Sequence, residues 1–225
     1  MPAIRRLHFD RAAMYPPSTE PEHHLLRNPA NETTPAGDAT LHYWSGLMGQ
    51  SHADHALITL SQALDWRQPN ITVYGRQHPV PRLTAWHGDA GLHYRYSGHT
   101  HIATGWLAAL LPIKAEIEHI TGKTFNSVLA NRYRNGDDCM GYHSDNEPEL
   151  GCTPWIASYN LGATRELTFR PKSPGGRRQC FSLPLHHDSL LLMSPQVQAG
   201  FEHALPRRRN CPDPRINLTF RFIVD

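Results

Sequence analysis

The amino-acid sequence predicts an α+β protein in which two helices back an antiparallel barrel or sandwich of short strands. The chain has 225 residues, of which 39% are hydrophobic and 19% are charged. This length and composition suit one globular domain with a sizeable core rather than a disordered chain. Two early segments have helical periodicity, and beyond residue 125 the chain breaks into short alternating runs separated by glycine, proline and aspartate.

Two helices are expected in the first half of the chain. Leucines recur at helical spacing between Ser51 and about Trp66, and Ser51 is placed to cap the first turn. A second helix is expected to begin at Pro112 and to end before Gly122. Proline favours the first turn of a helix, and glycine favours the position that follows the last turn.

Five strands are expected in the second half. They are Ser127–Tyr133, Ile156–Asn160, Glu166–Phe169, Ser189–Met193 and Arg215–Val224. The last of them has apolar residues at every even position from 216 to 224. Its odd positions carry Arg215, Asn217, Thr219 and Arg221. Because side chains alternate across a strand, one face packs into a core and the other gathers two guanidiniums, which favours an anionic ligand.

Charge and cysteine usage narrow the class of protein. The formal net charge is only +2, so any basic surface that contacts nucleic acid must be local. The four cysteines are scattered without a C-x-x-C pair, which disfavours a disulfide framework or a thiolate zinc site. No apolar run has the length of a signal peptide or a membrane span, so a cytoplasmic protein is expected, or a nuclear one if the source is eukaryotic.

The chain contains 16 histidines, which raises the question of a metal site. A non-haem Fe(II) oxygenase needs two histidines and one carboxylate on one face of the metal. A His-x-Asp pair on a strand supplies two of the three, since residues two apart point the same way. The motif occurs four times, as His52/Asp54, His87/Asp89, His143/Asp145 and His186/Asp188.

Context favours the third pair. His52/Asp54 lies in the predicted helix, where the side chains of residues i and i+2 diverge. His87/Asp89 precedes the strand-rich half, and His186/Asp188 lies too close to His203. His143 and Asp145 follow a predicted strand, and His203 lies far enough downstream for several strands to intervene. His203 is followed in turn by the strand that begins at Arg215. One barrel could bring this set together.

A series of short sequence motifs occurs in a fixed order between about Pro79 and Arg221. They are Pro81-Arg82, Gly88-Asp89-Ala90-Gly91-Leu92, Phe125-Asn126, Asn131-Arg132-Tyr133, His143-Ser144-Asp145-Asn146-Glu147, Ile156-Ala157-Ser158, His203-Ala204-Leu205-Pro206 and Pro214-Arg215-Ile216-Asn217-Leu218-Thr219-Phe220-Arg221. In this combination the chain resembles the AlkB family of dioxygenases, and closely its branch of nucleic-acid repair demethylases. The combination is far more specific than any of its members.

The resemblance implies a double-stranded β-helix (jelly-roll) barrel and the cofactors Fe(II), 2-oxoglutarate (a cosubstrate) and O2. It assigns Fe(II) to His143, Asp145 and His203, and the distal carboxylate of 2-oxoglutarate to Arg215. The remainder of that pocket would be Asn131, Tyr133, Asn217, Thr219 and Arg221.

The implied activity is oxidative demethylation of N-alkylated bases, such as 1-methyladenine and 3-methylcytosine, in DNA. The same chemistry on RNA bases or on a protein side chain is the alternative. A barrel that has lost catalysis is disfavoured, because the set His143, Asp145, His203 and Arg215 is intact. A cupin-like zinc or manganese enzyme would not need Arg215 on that strand.

The resemblance also places substrate contacts. Tyr94, Tyr96 and Ser97 match a lid over the base, and Asn146 and Glu147 would bind the base edge. Arg82 would contact the opposite strand, and Val73 and Tyr74 lie in a segment similar to a duplex-inserting hairpin. The basic run Arg207, Arg208 and Arg209 would contact phosphates.

The expected domain organisation is simple. Residues 1–38 lack periodicity and are expected to form a loosely structured N-terminal extension. Residues 39–225 would form a single dioxygenase domain, with a helical and nucleotide-recognition lid part over about 39–124 and the jelly-roll catalytic core over about 125–225. A monomer is expected, with alkylated DNA as its partner and alkylated RNA as the alternative.

Overall fold

Fifteen strands are present in the computed structural model, which describes residues 19–26, 38–73, 75–96, 99–172 and 180–224, without the side chains of residues 72–73, 94–96 and 99–101. In chain order they are β1 (Glu22–Leu26), β2 (Ala39–Ser45), β3 (Asn70–Val73), β4 (Arg76–Pro79), β5 (Leu83–Gly88), β6 (His93–Tyr96), β7 (His99–Ile102), β8 (Ser127–Tyr133), β9 (Met140–His143), β10 (Ile156–Gly162), β11 (Arg165–Pro171), β12 (Phe181–Leu185), β13 (Ser189–Met193), β14 (Phe201–Leu205) and β15 (Arg215–Arg221).

Two sheets carry most of these strands. A seven-stranded sheet has the order β1-β2-β13-β10-β15-β8-β5, and a four-stranded sheet has the order β12-β11-β14-β9. The strand pairs within both sheets are antiparallel. Pairs β3–β4 and β6–β7 form separate hairpins. The mostly antiparallel architecture with few helices fits the jelly-roll expectation.

The five strands expected from the sequence are all present. Ser127–Tyr133 and Ser189–Met193 have the expected bounds, and β10 and β11 are longer than expected. The last strand ends at Arg221 rather than Val224. Beyond it, the backbone N–H of Val224 donates to Glu149 instead of continuing a sheet ladder.

The helices are α1 (Gln50–Ala63), α2 (Leu111–Thr121) and the short α3 (Pro195–Gly200). The residue before α1 is Gly49, with no side-chain cap, so the expected capping by Ser51 is wrong. Helix α2 ends as expected at Gly122, which adopts the left-handed conformation with φ of 63°.

Two apolar clusters fix the arrangement of these layers. One contains Leu57 and Leu60 of α1 and Ile113 of α2 together with side chains of the seven-stranded sheet, such as Leu218. The other joins Leu191 and Met193 on the seven-stranded sheet to Phe169 and Leu205 on the four-stranded sheet. The two sheets therefore face each other across a shared core.

Strand β1 differs from the expected loose N-terminal extension. Residues 22–26 pair along their length with β2, so this part of the segment extends the seven-stranded sheet. Residues 1–18 and 27–37 lie outside the described residues. Strands β2 and β5 also belong to the large sheet, although both lie in the segment that was assigned to the lid part. Among the described residues, no helix is both long and apolar enough to span a membrane.

Candidate active site

Three potential metal ligands converge at the β9 edge of the four-stranded sheet. His143 is the last residue of β9, and it pairs directly with His203 on the neighbouring β14. Asp145 follows two residues later, and its carboxylate lies 3.7 Å from Nε2 of His203. The potential ligand atoms of the three residues all lie within 4.8 Å of one another. Among the described residues, no other group of three or more such side chains converges.

Each imidazole has one ring nitrogen directed towards the possible metal position. Nδ1 of His143 lies 2.9 Å from the Gly141 carbonyl, which can only accept, so Nδ1 carries a proton and Nε2 is the atom that remains for a metal ion. Burial, reinforced by the nearby His143, lowers the pKa of His203 to about 3, although Asp145 opposes this shift. Nδ1 of His203 is buried without a hydrogen-bond partner. A neutral, buried imidazole is the form that binds a metal ion.

Asp145 is held as a carboxylate by its surroundings. Its side chain is buried, and burial alone would raise its pKa, but Arg221 and the two histidines together lower that pKa. Arg221 donates to Oδ1, which leaves Oδ2 on the side of His203. The backbone N–H of Asp145 donates to Gln198 on α3 at 3.0 Å. Gln198 thus fixes the loop that carries the carboxylate.

The predicted cosubstrate residues lie on the facing sheet. Asn217 pairs with Asn131 of β8, and Arg215 pairs with Tyr133. On its other side β15 pairs with β10, which places Asn160 opposite Asn217. Asn217 therefore has polar neighbours on both flanking strands, and all four polar residues of β15 are buried.

Arg215 is a buried cation with no carboxylate partner among the described residues. Burial lowers its pKa to about 10, while Tyr133 acts in the opposite direction. Its guanidinium lies 5.3 Å from the Tyr133 ring and donates to the side-chain oxygen of Asn160. Nε has no hydrogen-bond partner. A buried charge left in this state is costly, so the arrangement fits an anion that is bound during function.

Both groups of residues line one cavity of about 450 Å³, part of which opens to solvent. The polar lining is His143, Asp145, His203, Asn131, Tyr133, Ser158, Arg215, Asn217, Thr219 and Arg221. The apolar lining is Met140, Leu167, Leu185, Met193 and Leu205. All nine residues that were predicted for metal and cosubstrate from the sequence thus meet in one place. Arg221 joins the two sides through Asp145.

The sequence analysis missed three residues of this region. Ser158 lines the cavity. Asn160 accepts a hydrogen bond from Arg215, and Gln198 accepts one from the backbone N–H of Asp145. Ser158 and Asn160 were detectable in principle, because they are polar residues of equal parity in an otherwise apolar strand. Gln198 carries no such signal, since its role depends on where α3 packs.

The remaining His-x-Asp pairs have other roles. Asp54 lies 3.2 Å from His187, and Asp188 accepts a hydrogen bond from Tyr159 at 2.7 Å. Asp89 accepts from the indole N–H of Trp106 at 2.6 Å. This last bond lies at the root of the β6–β7 hairpin, where the backbones of Gly91 and Ala103 are also joined.

Arg82 is not where the sequence analysis placed it. Its side chain is only 5% exposed, which contradicts a direct contact with the opposite strand of a nucleic acid. Nε of Arg82 donates to the side-chain oxygen of Asn131 at 2.8 Å. Arg82 therefore supports the cavity wall from behind, because Asn131 lines the cavity.

The basic run lies at the surface. Arg207, Arg208 and Arg209 are all exposed. Arg208 is partly engaged, since its guanidinium donates to the Thr164 carbonyl at 2.9 Å and its backbone N–H donates to Gly136. A side chain at Gly136 would collide with the Arg208 backbone, because an added Cβ would lie 1.8 Å from its carbonyl oxygen. The basic loop is thus pinned against a neighbouring turn.

The other predicted substrate residues are located less completely. Asn146 is exposed and Glu147 is half-buried, directly after Asp145. Tyr94 and Tyr96 lie on β6, and Val73 is the last residue of β3, but the structure does not describe their side chains. Tyr74 and Ser97 lie outside the described residues. The hairpin expected around residues 73–76 is present as β3–β4, with all of β4 exposed.

Two facing antiparallel sheets with a His-Asp-His set on one and a buried arginine on the other define a class of metal-dependent oxygenases. The model of the 2OG-Fe(II) oxygenase superfamily matches residues 40–221. The chain belongs to the AlkB family within this superfamily. Proteins of this superfamily use Fe(II), 2-oxoglutarate and O2, and the donor types present here fit Fe(II).

Named relatives are similar over most of the chain. DNA oxidative demethylase ALKBH2 of Homo sapiens is 40% identical over 186 residues, covering 79% of this chain and 71% of the relative. Alpha-ketoglutarate-dependent dioxygenase alkB homolog 3 of Homo sapiens is 38% identical over 197 residues, covering 84% and 68%. A solved structure of OsALKBH1 has a TM-score of 0.57 at 13% identity, covering 81% of this chain and 96% of that one. This last likeness concerns the fold alone.

Proposed function

We propose that the protein is an Fe(II)/2-oxoglutarate-dependent dioxygenase that removes alkyl groups from N-alkylated bases, such as 1-methyladenine and 3-methylcytosine, in DNA. One observation carries the proposal. A cluster of two histidines and a carboxylate faces, across one cavity, a buried arginine without a carboxylate partner among the described residues. The choice of substrate is supported by the relatives that are named as DNA oxidative demethylases.

In this proposal His143, Asp145 and His203 hold the metal. Nε2 of His143 and Oδ2 of Asp145 are available because Gly141 and Arg221 occupy the other donor atoms. When bound, iron with 2-oxoglutarate and O2 supplies the oxidising power that hydroxylates the N-alkyl carbon, which is then lost as formaldehyde. Burial keeps the pKa of His203 low, and Arg221 and the two histidines lower the pKa of the Asp145 carboxyl.

The facing strand binds the cosubstrate. Arg215 pairs with the distal carboxylate of 2-oxoglutarate, since its guanidinium is buried, charged and free of competing acids in the described part of the chain. Asn131, Tyr133, Asn217 and Thr219 complete the pocket, and Arg221 lies closest to the metal side through its bond to Asp145. The apolar side chains that line the cavity limit the access of water to the reacting atoms.

The substrate base is held from outside this cavity. A duplex substrate must have its target base flipped out, at a cost of a few kcal/mol that a non-pairing lesion reduces. Tyr94, Tyr96 and Ser97 on and after β6 are proposed as the lid, with His143 opposite, and Asn146 and Glu147 as contacts to the base edge. Val73 at the end of β3 is proposed to fill the space left in the duplex, together with Tyr74, which follows it in the sequence.

Electrostatics supports contact with a polyanion. Arg207 and Arg209 are exposed on a loop that is pinned near the end of β14, the strand of His203. We assign them to phosphates, with Arg208 divided between this role and its bond to Thr164. The proposal includes a monomer with one dioxygenase domain, whose jelly-roll is backed by α1 and α2.

The test is to incubate the protein with Fe(II), ascorbate, 2-oxoglutarate and an oligonucleotide that carries 1-methyladenine or 3-methylcytosine. The mass of the base is then read by mass spectrometry, and succinate is measured in parallel. An Arg215→Ala protein and a sample without 2-oxoglutarate serve as controls. The expected result is the loss of one methyl group, only with cosubstrate and intact Arg215.

Two other outcomes would be decisive. Formation of succinate without a change of base mass would keep the oxygenase and exclude these DNA lesions, and an alkylated RNA oligonucleotide would then be the next substrate. Absence of both products in a protein that binds iron would overturn the proposed enzyme.

A further inference from the structure

In the described part of the chain no carboxylate pairs with the cation of Arg215, and the side chain that accepts from it is a neutral amide. Its guanidinium donates to Oδ1 of Asn160, and Asn217 donates to the same oxygen at 3.2 Å. Asn160 is 1% exposed and lies on the central strand β10. Nε of Arg215 has no partner, and the residue lines the cavity. The contact with Asn160 therefore holds one side of the guanidinium and leaves other donors available on the cavity side.

The orientation of the Asn160 amide is fixed from behind. Its nitrogen donates to the carbonyl of Ser158 at 2.9 Å and to the carbonyl of Ser189 at 3.1 Å, and the hydroxyl of Ser189 lies at 3.3 Å. A flipped amide would place its nitrogen against the donors of Arg215 and its oxygen against two carbonyls. The side chain is thus locked with its oxygen towards the arginine.

The same array orders the next residues of the pocket. Asn217 donates to the hydroxyl of Ser158 at 2.7 Å, and Thr219 donates to the oxygen of Asn217 at 2.9 Å. The side-chain amide of Asn217 and the hydroxyl of Thr219 therefore each have an acceptor within the array. Networks of this kind resist reorganisation, because a broken member leaves a buried polar group unpaired.

We propose that Asn160 is a positioning residue that aims Arg215 at the distal carboxylate of the cosubstrate while leaving the positive charge unneutralised. This inference rests on the proposed function, and it adds a specificity role to a residue that touches neither metal nor substrate. A carboxylate at position 160 would hold the guanidinium equally well in space. It would also satisfy the charge internally, so the dicarboxylate would have to compete with it.

The test compares two ligands that differ only in the group that Arg215 recognises. 2-Oxoglutarate has the distal carboxylate, and 2-oxopentanoate has the same carbon chain without it. Their affinities are measured by calorimetry without oxygen, with Mn(II) in place of Fe(II), in the wild-type protein and in Asn160→Ala and Asn160→Asp. Melting temperatures are recorded for each protein.

A matched control variant is Asn126→Ala. Asn126 also uses its side-chain amide to bind backbone, donating to the Ile223 carbonyl at 2.8 Å and accepting from the Ile223 N–H at 2.7 Å, but it does not line the cavity. Its loss is expected to lower the melting temperature without changing the preference for 2-oxoglutarate over 2-oxopentanoate.

The expected result is a selective loss. Asn160→Ala should weaken 2-oxoglutarate about tenfold, the scale of one hydrogen bond to a charged group, and leave 2-oxopentanoate unchanged. Asn160→Asp, although nearly isosteric, should weaken 2-oxoglutarate more, about a hundredfold, because it adds a competing buried charge. If Asn160→Ala does not fold, Asn160→Ser should show the same selectivity with a smaller loss.

Equal weakening of both ligands, or an Asp variant milder than the Ala variant, would overturn the positioning role and leave Asn160 as a packing residue. A wild-type protein that binds the two ligands equally would instead overturn the assignment of Arg215 to the distal carboxylate, and with it the proposed function. The two failures are therefore distinguishable in one experiment.

Discussion

The two walls of the cavity are built in opposite ways. On the four-stranded sheet, the metal side rests on the four-residue edge strand β9, and His143 is only partly buried. On the seven-stranded sheet, the cosubstrate side rests on the interior strand β15, in which all seven residues are buried. The metal side has few hydrogen bonds, whereas the facing side forms a continuous network of amides, hydroxyls and guanidiniums.

The difference follows the chemistry of what each wall holds. A metal ion supplies its own strong bonds, so its ligands need only be unprotonated and close together. A flexible dicarboxylate needs donors that are already fixed, because each donor ordered on binding would cost affinity. One wall is therefore adjusted mainly through protonation state, and the other mainly through hydrogen-bond geometry.

The largest effect should come from the metal wall. Replacement of His203 by Ala removes one of three ligands from a buried site, so we expect metal affinity to fall by more than the roughly 100-fold that loss of an outer-shell partner costs. Demethylation should fall to background. Metal binding is measured with Mn(II) by calorimetry. Retention of wild-type metal affinity by a folded variant would contradict the assignment.

The facing wall should respond differently to Arg215→Ala. Loss of the guanidinium should weaken 2-oxoglutarate by about 3 kcal/mol, or roughly a hundredfold, while metal affinity in its absence stays near that of the wild type. Arg215→Lys is the matched variant, which keeps a charge without the planar fork and should recover part of the loss. A parallel fall in metal affinity would show that the walls are not separable.

Acidification should affect only one wall. The pKa of His203 is about 3 in the folded protein, against 6.5 as a reference for the unfolded chain, so the unfolded chain takes up its proton first. The stability of the metal-free protein should be full above pH 6.5 and decline as the pH falls towards 3, by about 1.4 kcal/mol per pH unit from this residue. His42, His186 and His187, whose pKa values burial also lowers, act in the same direction.

Arg215, with a pKa of about 10, stays charged throughout that range. Melting temperatures from pH 7.5 to 5, with and without Mn(II), test this contrast. Bound metal should protect the protein in the upper part of the range. A melting temperature that does not change with pH would contradict the buried neutral state of these histidines.

The smallest effects are expected outside the cavity. Arg207→Ala and Arg209→Ala should each weaken binding to an alkylated oligonucleotide a few-fold and reduce its salt dependence by about one unit of slope. Arg208→Ala should lower the melting temperature as well, because it removes the bond to Thr164. Fluorescence anisotropy at several salt concentrations measures the slopes. Identical slopes in all three variants and the wild type would contradict the assignment of these arginines to phosphate contacts.

Much of this arrangement was predictable from local pattern. The alternation along residues 215–221 identified the polar face of β15, and spacing selected His143, Asp145 and His203. The polar face of β15 was predictable because strand periodicity is a local property of the chain, and the three metal-ligand candidates lie close together while their role stays a prediction. The predicted capping of α1 was wrong because the helix begins at Gln50, so Ser51 lies inside the helix and Gly49 precedes it.

The sequence by itself determined which residues could serve as ligands and the order of the strands that carry them along the chain. Only the tertiary structure decided which other residues hydrogen-bond to these candidate ligands. Arg82 turned out to be buried against Asn131, Asn160 to hold Arg215, and Gln198 to hold the Asp145 loop. These pairs are 49, 55 and 53 residues apart. No periodicity links positions so distant, because their contact arises only when separate strands and helices pack together.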